Sequence, residues 1–153
     1  MAPPRLTLDR FLPYRLSVTA NLVSDRIAAA YQSHFGLRIP EWRLIAVLAE
    51  SGPATQQAIV ERTRMDKVTV SRAAIALVAR GLLTRMPHAR DARSRLLDLS
   101  ADGRALYGKV VPKALELERA MLAGLSKADV AQLFALLARV EKTALAGGDG
   151  EAA

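Results

Sequence analysis

The spacing of apolar residues changes once along this chain, and this change constrains the fold more than any other feature of the sequence. Before Gly81 and after Ser100, apolar side chains recur every three or four residues, as they do on one face of an α-helix. Between these residues lie two short runs of extended character, 82–86 and 94–99, separated by a polar, turn-forming segment. The pattern predicts a mainly α-helical fold with one small β-hairpin between its helices.

Four helices are predicted before the hairpin, at about 11–36, 40–51, 55–63 and 66–80. Thr55 and Asp66 are the expected N-caps of the third and fourth helices, because their side-chain oxygens can accept a backbone N–H. Gly81 is expected to end the fourth helix in a left-handed conformation.

Two further helices are predicted after the hairpin. Ser100 caps the first of them, and Pro112 within it is expected to cause a bend or a local break. Ser126-x-x-Asp129 resembles a capping box at the start of the last helix. The glycine-rich end of the sequence, 147–153, is expected to be a disordered tail.

The composition excludes several classes of protein. The chain has no cysteine and only two histidines, so neither a disulfide scaffold nor a metal site is expected, and the sequence implies no cofactor. No apolar run approaches the length of about 18 residues that a membrane span needs, and the N-terminus lacks the apolar core of a secretion signal, so we expect a cytoplasmic protein. No nucleophile–base pair and no glycine-rich phosphate loop is present, which argues against an enzyme.

All of the excess charge lies in one internal segment. The 153 residues carry a net charge of +7, and residues 62–95 contain nine basic residues against only two acidic ones. The remainder of the chain is balanced, with thirteen residues of each sign. Such a local excess is typical of a surface that binds a polyanion, and together with the motifs that follow it predicts double-stranded DNA as a partner.

Two short helices followed by a basic hairpin are arranged in the order of a winged helix-turn-helix. The fourth helix would enter the major groove, and the hairpin tip would reach the adjacent minor groove. The predicted DNA contacts from the fourth helix are Lys67, Thr69, Val70, Ser71 and Arg72, although helical spacing also places Val70 on the core face. Which of them contact bases and which contact phosphates is left open.

Further contacts are expected on either side of this helix. In the hairpin tip, Arg90 and Arg93 are predicted to bind DNA, with an ion pair to Asp91 as the alternative for Arg93. Arg85 is expected to have a structural role as a partner of Asp91 or of a backbone carbonyl. Gln56 and Gln57, at the start of the third helix, either contact the DNA backbone or are simply surface residues.

Three motifs in this order resemble the MarR (multiple antibiotic resistance regulator) family of transcription factors. They are 66–72 (DKVTVSR) in the fourth helix, 80–83 (RGLL) after it, and 91–93 (DAR) leading to 97–103 (LDLSADG). The family's usual hairpin motif is Asp-Arg-Arg, so Ala92 is a departure, while the outer Asp and Arg are kept. The resemblance covers roughly residues 11–145.

The resemblance implies a single winged helix-turn-helix subunit within a helical frame. Residues 41–100 would form the DNA-binding lobe, and residues 11–36 and 102–145 would form the dimerisation region of a homodimer on a near-palindromic operator. In this family a small molecule, often an anionic aromatic compound, binds between the frame and the lobe and releases the DNA. The surplus of apolar surface on the first and last helices also favours a dimer, independently of the resemblance.

The predicted effector site lies where the first and second helices should meet. Its candidate residues are Tyr14, Arg15, His34, Trp42 and Arg43. Each has a simpler alternative: Trp42 as a core residue, His34 as a partner of a carbonyl group, and either arginine in a surface ion pair instead of neutralising a ligand carboxylate.

The basic helix-turn-helix and hairpin predict a DNA-binding regulator, and the resemblance implies that it is a sequence-specific, homodimeric repressor released by a small effector. Whether it represses or activates is not encoded in these motifs. The alternatives are a sequence-tolerant architectural DNA-binding protein and a winged helix used for protein contact, which would leave the arginine cluster unexplained.

Overall fold

The computed structural model describes residues 1–91 and 93–148, and these form six α-helices, one short 3₁₀ turn and a two-stranded antiparallel sheet. The helices are α1 (Leu12–Phe35), α2 (Ile39–Ser51), α3 (Gln56–Thr63), α4 (Lys67–Ala79), α5 (Ala101–Leu122) and α6 (Lys127–Gly147). The strands are β1 (Leu83–Pro87) and β2 (Arg95–Leu99). The predicted fold class, mainly α with a β-hairpin wing, is confirmed.

The chain divides into two compact units, Met1–Ala114 and Leu115–Ala153. The core of the first unit is built on α2, whose inner face buries Leu44, Ile45 and Leu48 completely. Ile59 from α3 and Leu77 from α4 are equally buried. The two short helices are therefore fixed by apolar burial, which is the largest favourable term in folding.

The predicted helix caps are present. The Thr55 hydroxyl accepts the Ala58 N–H at 3.1 Å, and Ser126 and Asp129 form a reciprocal capping box at the start of α6. Gly81 has a φ of 72°, the left-handed conformation that only glycine adopts at little cost. Helix α5 continues without interruption through Pro112, so the local break that the sequence allowed does not occur.

The hairpin is attached to the helical core at its base. In the β1–β2 register Leu83 pairs with Leu99 and Arg85 pairs with Leu97. The backbone of Ala54, in the α2–α3 loop, exchanges two hydrogen bonds with Leu97, of 3.0 and 2.8 Å. The hairpin is thereby held beside the start of α3, and only its tip projects.

The second unit is the end of α5 together with α6. None of the side chains of α6 is buried, although its apolar residues recur at helical spacing. Helix α6 extends to Gly147, the first residue of the predicted tail, and residues 149–153 lie outside the described residues. Within the described part of the chain no single helix is long and apolar enough to span a membrane. Helices α5 and α6 reach the required length and apolar composition only when they are taken together as a bent pair.

Candidate nucleic-acid interface

Helices α3 and α4 are joined by a short turn with a defined geometry. Arg64 adopts a left-handed conformation with a φ of 58°, and its N–H donates to the Val60 carbonyl at 2.8 Å. The Thr63 hydroxyl donates to the Ile59 carbonyl at 2.7 Å, and the side chain of Met65 is buried beneath the turn. These contacts fix the direction in which α4 leaves the turn.

Asp66 caps α4 and also orients Thr69. One carboxylate oxygen of Asp66 accepts the Thr69 N–H at 2.8 Å, and the other accepts the Thr69 hydroxyl at 2.8 Å. The two hydrogen bonds lower the pKa of Asp66, because they stabilise the ionised carboxylate. Since the Thr69 hydroxyl proton is committed to Asp66, Thr69 can present only lone pairs to another molecule.

The inner face of α4 belongs to the core. Val70 and Ala74 are completely buried, together with Leu77, and Ala73 is nearly so. The prediction that Val70 contacts DNA is therefore wrong, because its position is one helical turn before Ala74 and two before Leu77. Its role is to hold α4 against the rest of the lobe.

The outer face of α4 presents a different set of side chains. Lys67 and Arg72 are exposed as predicted, and Ser71 is half-buried. Val68 and Ile75 are also exposed, each at 57%. Sequence reasoning missed Val68, although its position four residues before Arg72 placed it on the same face.

The hairpin tip is organised by Asp91. Its carboxylate accepts the Arg93 N–H at 3.0 Å and the Ser94 hydroxyl at 3.2 Å. Among the described residues neither the Arg93 nor the Arg85 guanidinium forms an ion pair with Asp91, so the structural roles considered for these arginines are not observed. Arg90 and Arg93 are both exposed at the tip.

Three arginines converge on a cleft between the hairpin and the start of α3. The cleft has a volume of about 280 Å³ and is lined by Thr55, Gln56, Gln57, Arg85, Arg93, Ser94, Arg95 and Leu97. Arg85 pairs with Leu97 across the strands, which puts Arg85 and Arg95 on the same face of the hairpin. Arg95 was missed, and Arg85 was assigned another role, because this placement depends on the register.

A second cleft continues the surface towards α4. It has a volume of about 240 Å³ and is lined by Gln56, Gln57, Val60 and Lys67. The two glutamines line both clefts. The structure therefore brings four of the predicted DNA contacts together on one surface: Gln56, Gln57, Lys67 and Arg93. We call this the basic surface, and it also includes Arg85 and Arg95, which were not predicted to contact DNA.

Most of the basic side chains in residues 62–95 have no ion-pair partner among the described residues. Arg62 is paired with Glu50 at 2.7 Å, and Arg80 with two backbone carbonyls. Within the described residues, seven other basic side chains make no hydrogen bond or ion pair through their charged groups: Arg64, Lys67, Arg72, Arg85, Arg90, Arg93 and Arg95. Unpaired cations this close together repel one another and favour binding of an anion.

Arg80 fixes the far end of α4. Its guanidinium donates to the Gly36 carbonyl at 2.9 Å and to the Phe35 carbonyl at 3.3 Å, at the C-terminal end of α1. It also lies 3.9 Å from the carboxylate of Glu41, which is only 5% exposed and is hydrogen-bonded by Arg38 at 2.9 Å. The network ties the ends of α1 and α4 to the start of α2.

The predicted effector residues are only partly brought together. Trp42 is half-buried, stacks on Tyr107 with a centroid distance of 5.7 Å, and meets Tyr31 edge-on at 5.5 Å. Burial raises the pKa of the Tyr31 hydroxyl. These contacts agree with the packing alternative for Trp42, which remains partly exposed.

The other four effector candidates lie at two separate places. His34 and Arg43 are exposed near the α1–α2 junction, where the ring of His34 lies 5.9 Å from that of Phe35. Tyr14 and Arg15 are near the opposite end of α1, about 30 Å away along the helix axis. The expectation that all five meet at the junction is therefore wrong for Tyr14 and Arg15 within one subunit, because a continuous helix separates them.

Comparison with known proteins identifies the family. A model of the MarR family matches residues 35–94. The HTH-type transcriptional regulator PecS of Dickeya dadantii is 30% identical over 142 residues, covering 91% of this chain and 86% of PecS. The chain belongs to the MarR family. It is accordingly a DNA-binding transcriptional regulator and not an enzyme, as the sequence predicted.

Two solved structures extend the similarity of this MarR-family protein to the whole fold. A MarR/EmrR family regulator from Acinetobacter sp. ADP1 is 28% identical, with a TM-score of 0.84 and coverage of 91% of this chain and 98% of the relative. BpsR of Bordetella bronchiseptica is 25% identical, with a TM-score of 0.71 and coverage of 83% and 98%. That structure concerns the regulation of BpsR DNA binding by 6-hydroxynicotinic acid.

Proposed function

We propose that this MarR-family protein is a cytoplasmic, homodimeric repressor that binds a near-palindromic operator and is released from it by a small aromatic anion. The observation that carries the proposal is the basic surface. Within the described residues, seven basic side chains of the helix-turn-helix and hairpin form no ion pair, and Gln56 and Gln57 connect the two clefts of this surface.

The proposed contacts follow from the chemistry of each group. Lys67 and Arg72 bind the phosphates or base edges that border α4, and Arg90 and Arg93 reach the minor groove from the hairpin tip. Thr69 can only accept, so its DNA partner is a base amino group, whereas Ser71 can also donate. The cleft arginines, Arg85 and Arg95, and the amide side chains of Gln56 and Gln57 bind the DNA backbone.

The homodimer is supported by the apolar surface that each unit leaves uncovered. In the first unit, the exposed residues of α1 include Leu12, Leu16, Leu22 and Val23. In the second unit, α6 exposes Leu133, Phe134, Leu136 and Val140, and Phe134 is 56% exposed. Amphipathic helices of this length normally bury such a stripe. We therefore assign residues 11–36 and 102–145 to the dimerisation region and residues 41–100 to the DNA-binding lobe.

The effector is proposed to bind beside Trp42. The half-buried rings of Trp42 and Tyr107 supply apolar contact for an aromatic ligand, and the exposed Arg43 supplies a cation for a carboxylate. The relative BpsR, whose DNA binding is regulated by 6-hydroxynicotinic acid, supports an aromatic acid as the class of ligand.

Release follows from a shift between two states of the dimer. The effector favours a geometry in which the two α4 helices no longer match the half-site spacing. Effector and DNA then weaken each other's binding by the same factor, because the coupling free energy is reciprocal.

Two measurements test the proposal. Light scattering at micromolar concentration should give twice the mass of one chain, and a monomer would contradict the dimer. A titration with 6-hydroxynicotinic acid, followed by fluorescence anisotropy of bound duplex DNA, should show release from the wild type. The Arg43→Ala variant should bind the same DNA with unchanged affinity and resist release. An unchanged DNA affinity at saturating ligand, with ligand binding shown by calorimetry, would contradict effector control.

A further inference from the structure

Val68 is an apolar side chain in an unusual place. It is the second residue of α4, it is 57% exposed, and the core of the lobe takes its α4 contacts from the opposite face. A valine at an exposed helical position costs helix stability relative to lysine or alanine. Neither packing nor helix propensity therefore accounts for it.

The surroundings of Val68 indicate what it faces. Lys67 precedes it, and Ser71 and Arg72 follow at three and four residues, the spacings that share a helix face. Within the described residues Lys67 and Arg72 have no ion-pair partner, so this face is positively charged and complementary to duplex DNA. The first turn of the second helix is also the part of a helix-turn-helix that contacts base edges.

The major groove offers one apolar group to a side chain of this kind. Among the four bases only thymine presents a methyl group, at C5, and the other groups on the groove floor are hydrogen-bond donors and acceptors. A branched aliphatic side chain can discriminate in favour of that methyl but forms no hydrogen bond with a base.

We propose that Val68 is a specificity-determining residue that contacts the C5-methyl group of a thymine in each operator half-site. The inference rests on the proposed binding of a specific operator. It adds the identity of one base and the side chain that selects it. Lys67 and Arg72, on either side of Val68, attract the DNA through their charge. Val68 supplies a preference for thymine over the other bases, which charge alone cannot give.

Ile75 provides a matched control. It has the same 57% exposure on the same helix. It lies seven residues further along, about 10 Å from Val68 along the helix axis, and away from the N-terminal turn that reads bases.

The experiment uses the full-length protein and a duplex that it selects from a randomised DNA library. Each thymine of the selected half-site is then replaced by deoxyuridine, which removes the methyl group and leaves every hydrogen-bonding group in place. Binding is measured by fluorescence anisotropy for the wild type and for the Val68→Ala and Ile75→Ala variants. Both variants replace an exposed residue by a better helix former, so the fold is retained, and circular dichroism checks this.

We expect one thymine position at which deoxyuridine weakens wild-type binding by about fourfold per half-site, the effect of losing one apolar carbon contact. Val68→Ala should bind the two duplexes equally well, and Ile75→Ala should keep the wild-type penalty. A penalty that persists in Val68→Ala, or that disappears only in Ile75→Ala, would overturn the role of Val68 while leaving operator binding intact. If the library yielded no preferred duplex, the proposed specific binding would fail, and the role of Val68 with it.

Discussion

Gly103, in the first turn of α5, lies directly against the backbone of Leu82, the residue before β1. A Cβ atom added at Gly103 would lie 2.1 Å from the Leu82 carbonyl oxygen and 3.2 Å from the Cδ2 atom of Leu99. The Leu82 carbonyl cannot move away freely, because it accepts the Ser100 N–H at 3.1 Å just before the hairpin. The substitution Gly103→Ala must therefore separate α5 from the start of β1.

The magnitude follows from three contributions. Overpacking against a rigid backbone atom costs up to about 3 kcal/mol. Loss of the Ser100 hydrogen bond adds about 1 kcal/mol, and the better helix propensity of alanine returns about 1 kcal/mol. We expect Gly103→Ala to lower the free energy of unfolding by about 3 kcal/mol.

Urea unfolding followed by circular dichroism measures this change. Gly108→Ala is the control, because Gly108 lies in the same helix and, apart from the adjacent residues and backbone of that helix, no described atom comes within 4 Å of its added Cβ. That variant should be unchanged or more stable by up to about 1 kcal/mol. Equal stability of Gly103→Ala and Gly108→Ala would refute the packing argument.

Three further predictions concern the DNA-binding lobe. Arg93→Ala should weaken operator binding by about 1–3 kcal/mol in anisotropy titrations, and unchanged affinity would mean that the unpaired guanidinium does not contact DNA. The lowered pKa of Asp66 implies a stabilisation that is complete above its ordinary value of 3.8 and is lost as the pH falls through the lower folded-state value. The Asp66→Asn variant keeps a helix cap but cannot titrate, so its acid unfolding should lack the pH-dependent stabilisation that the Asp66 carboxylate supplies. Identical pH profiles of stability for the wild type and Asp66→Asn would contradict this. Arg80→Met should destabilise the lobe by about 1–2 kcal/mol, because two carbonyls lose a charged donor and the buried Glu41 loses a cation 3.9 Å away. Arg80→Lys, which can replace only part of this network, should lie between the wild type and Arg80→Met in urea unfolding. A wild-type midpoint for Arg80→Met would show that the Arg80 contacts do not stabilise the lobe.

Local features of the fold were predictable because short-range chemistry decides them. The hydroxyl of Thr55 and the carboxylate of Asp66 accept the N–H groups that a helix start leaves free, and the glycine at 81 supplies the left-handed residue. The hairpin was visible because its polar turn lies between two short apolar runs. These signals each span a few residues and do not depend on the tertiary structure.

The errors arose where a side chain's role depends on phase or register. Val70 is buried and Val68 is exposed. Helical spacing already placed Val70 on the core face and Val68 on the face of Arg72, so both residues were misassigned against the phase of α4. Arg85 and Arg95 share a face of the hairpin because of one strand register, which the sequence does not specify. The sequence prediction places Tyr14 with Trp42 at the junction of the first two helices, although the predicted length of the first helix, confirmed as Leu12–Phe35, separates the two residues within one subunit.

The central claim is that the basic surface recognises a particular DNA sequence. The most direct test is an anisotropy titration with the intergenic DNA beside the protein's own gene, against a scrambled duplex of equal length, at two salt concentrations. We predict a preference of about 10³-fold or more for the intergenic duplex, retained at the higher salt concentration. Equal affinity for both duplexes, falling equally with added salt, would contradict the claim and indicate a sequence-tolerant DNA-binding protein.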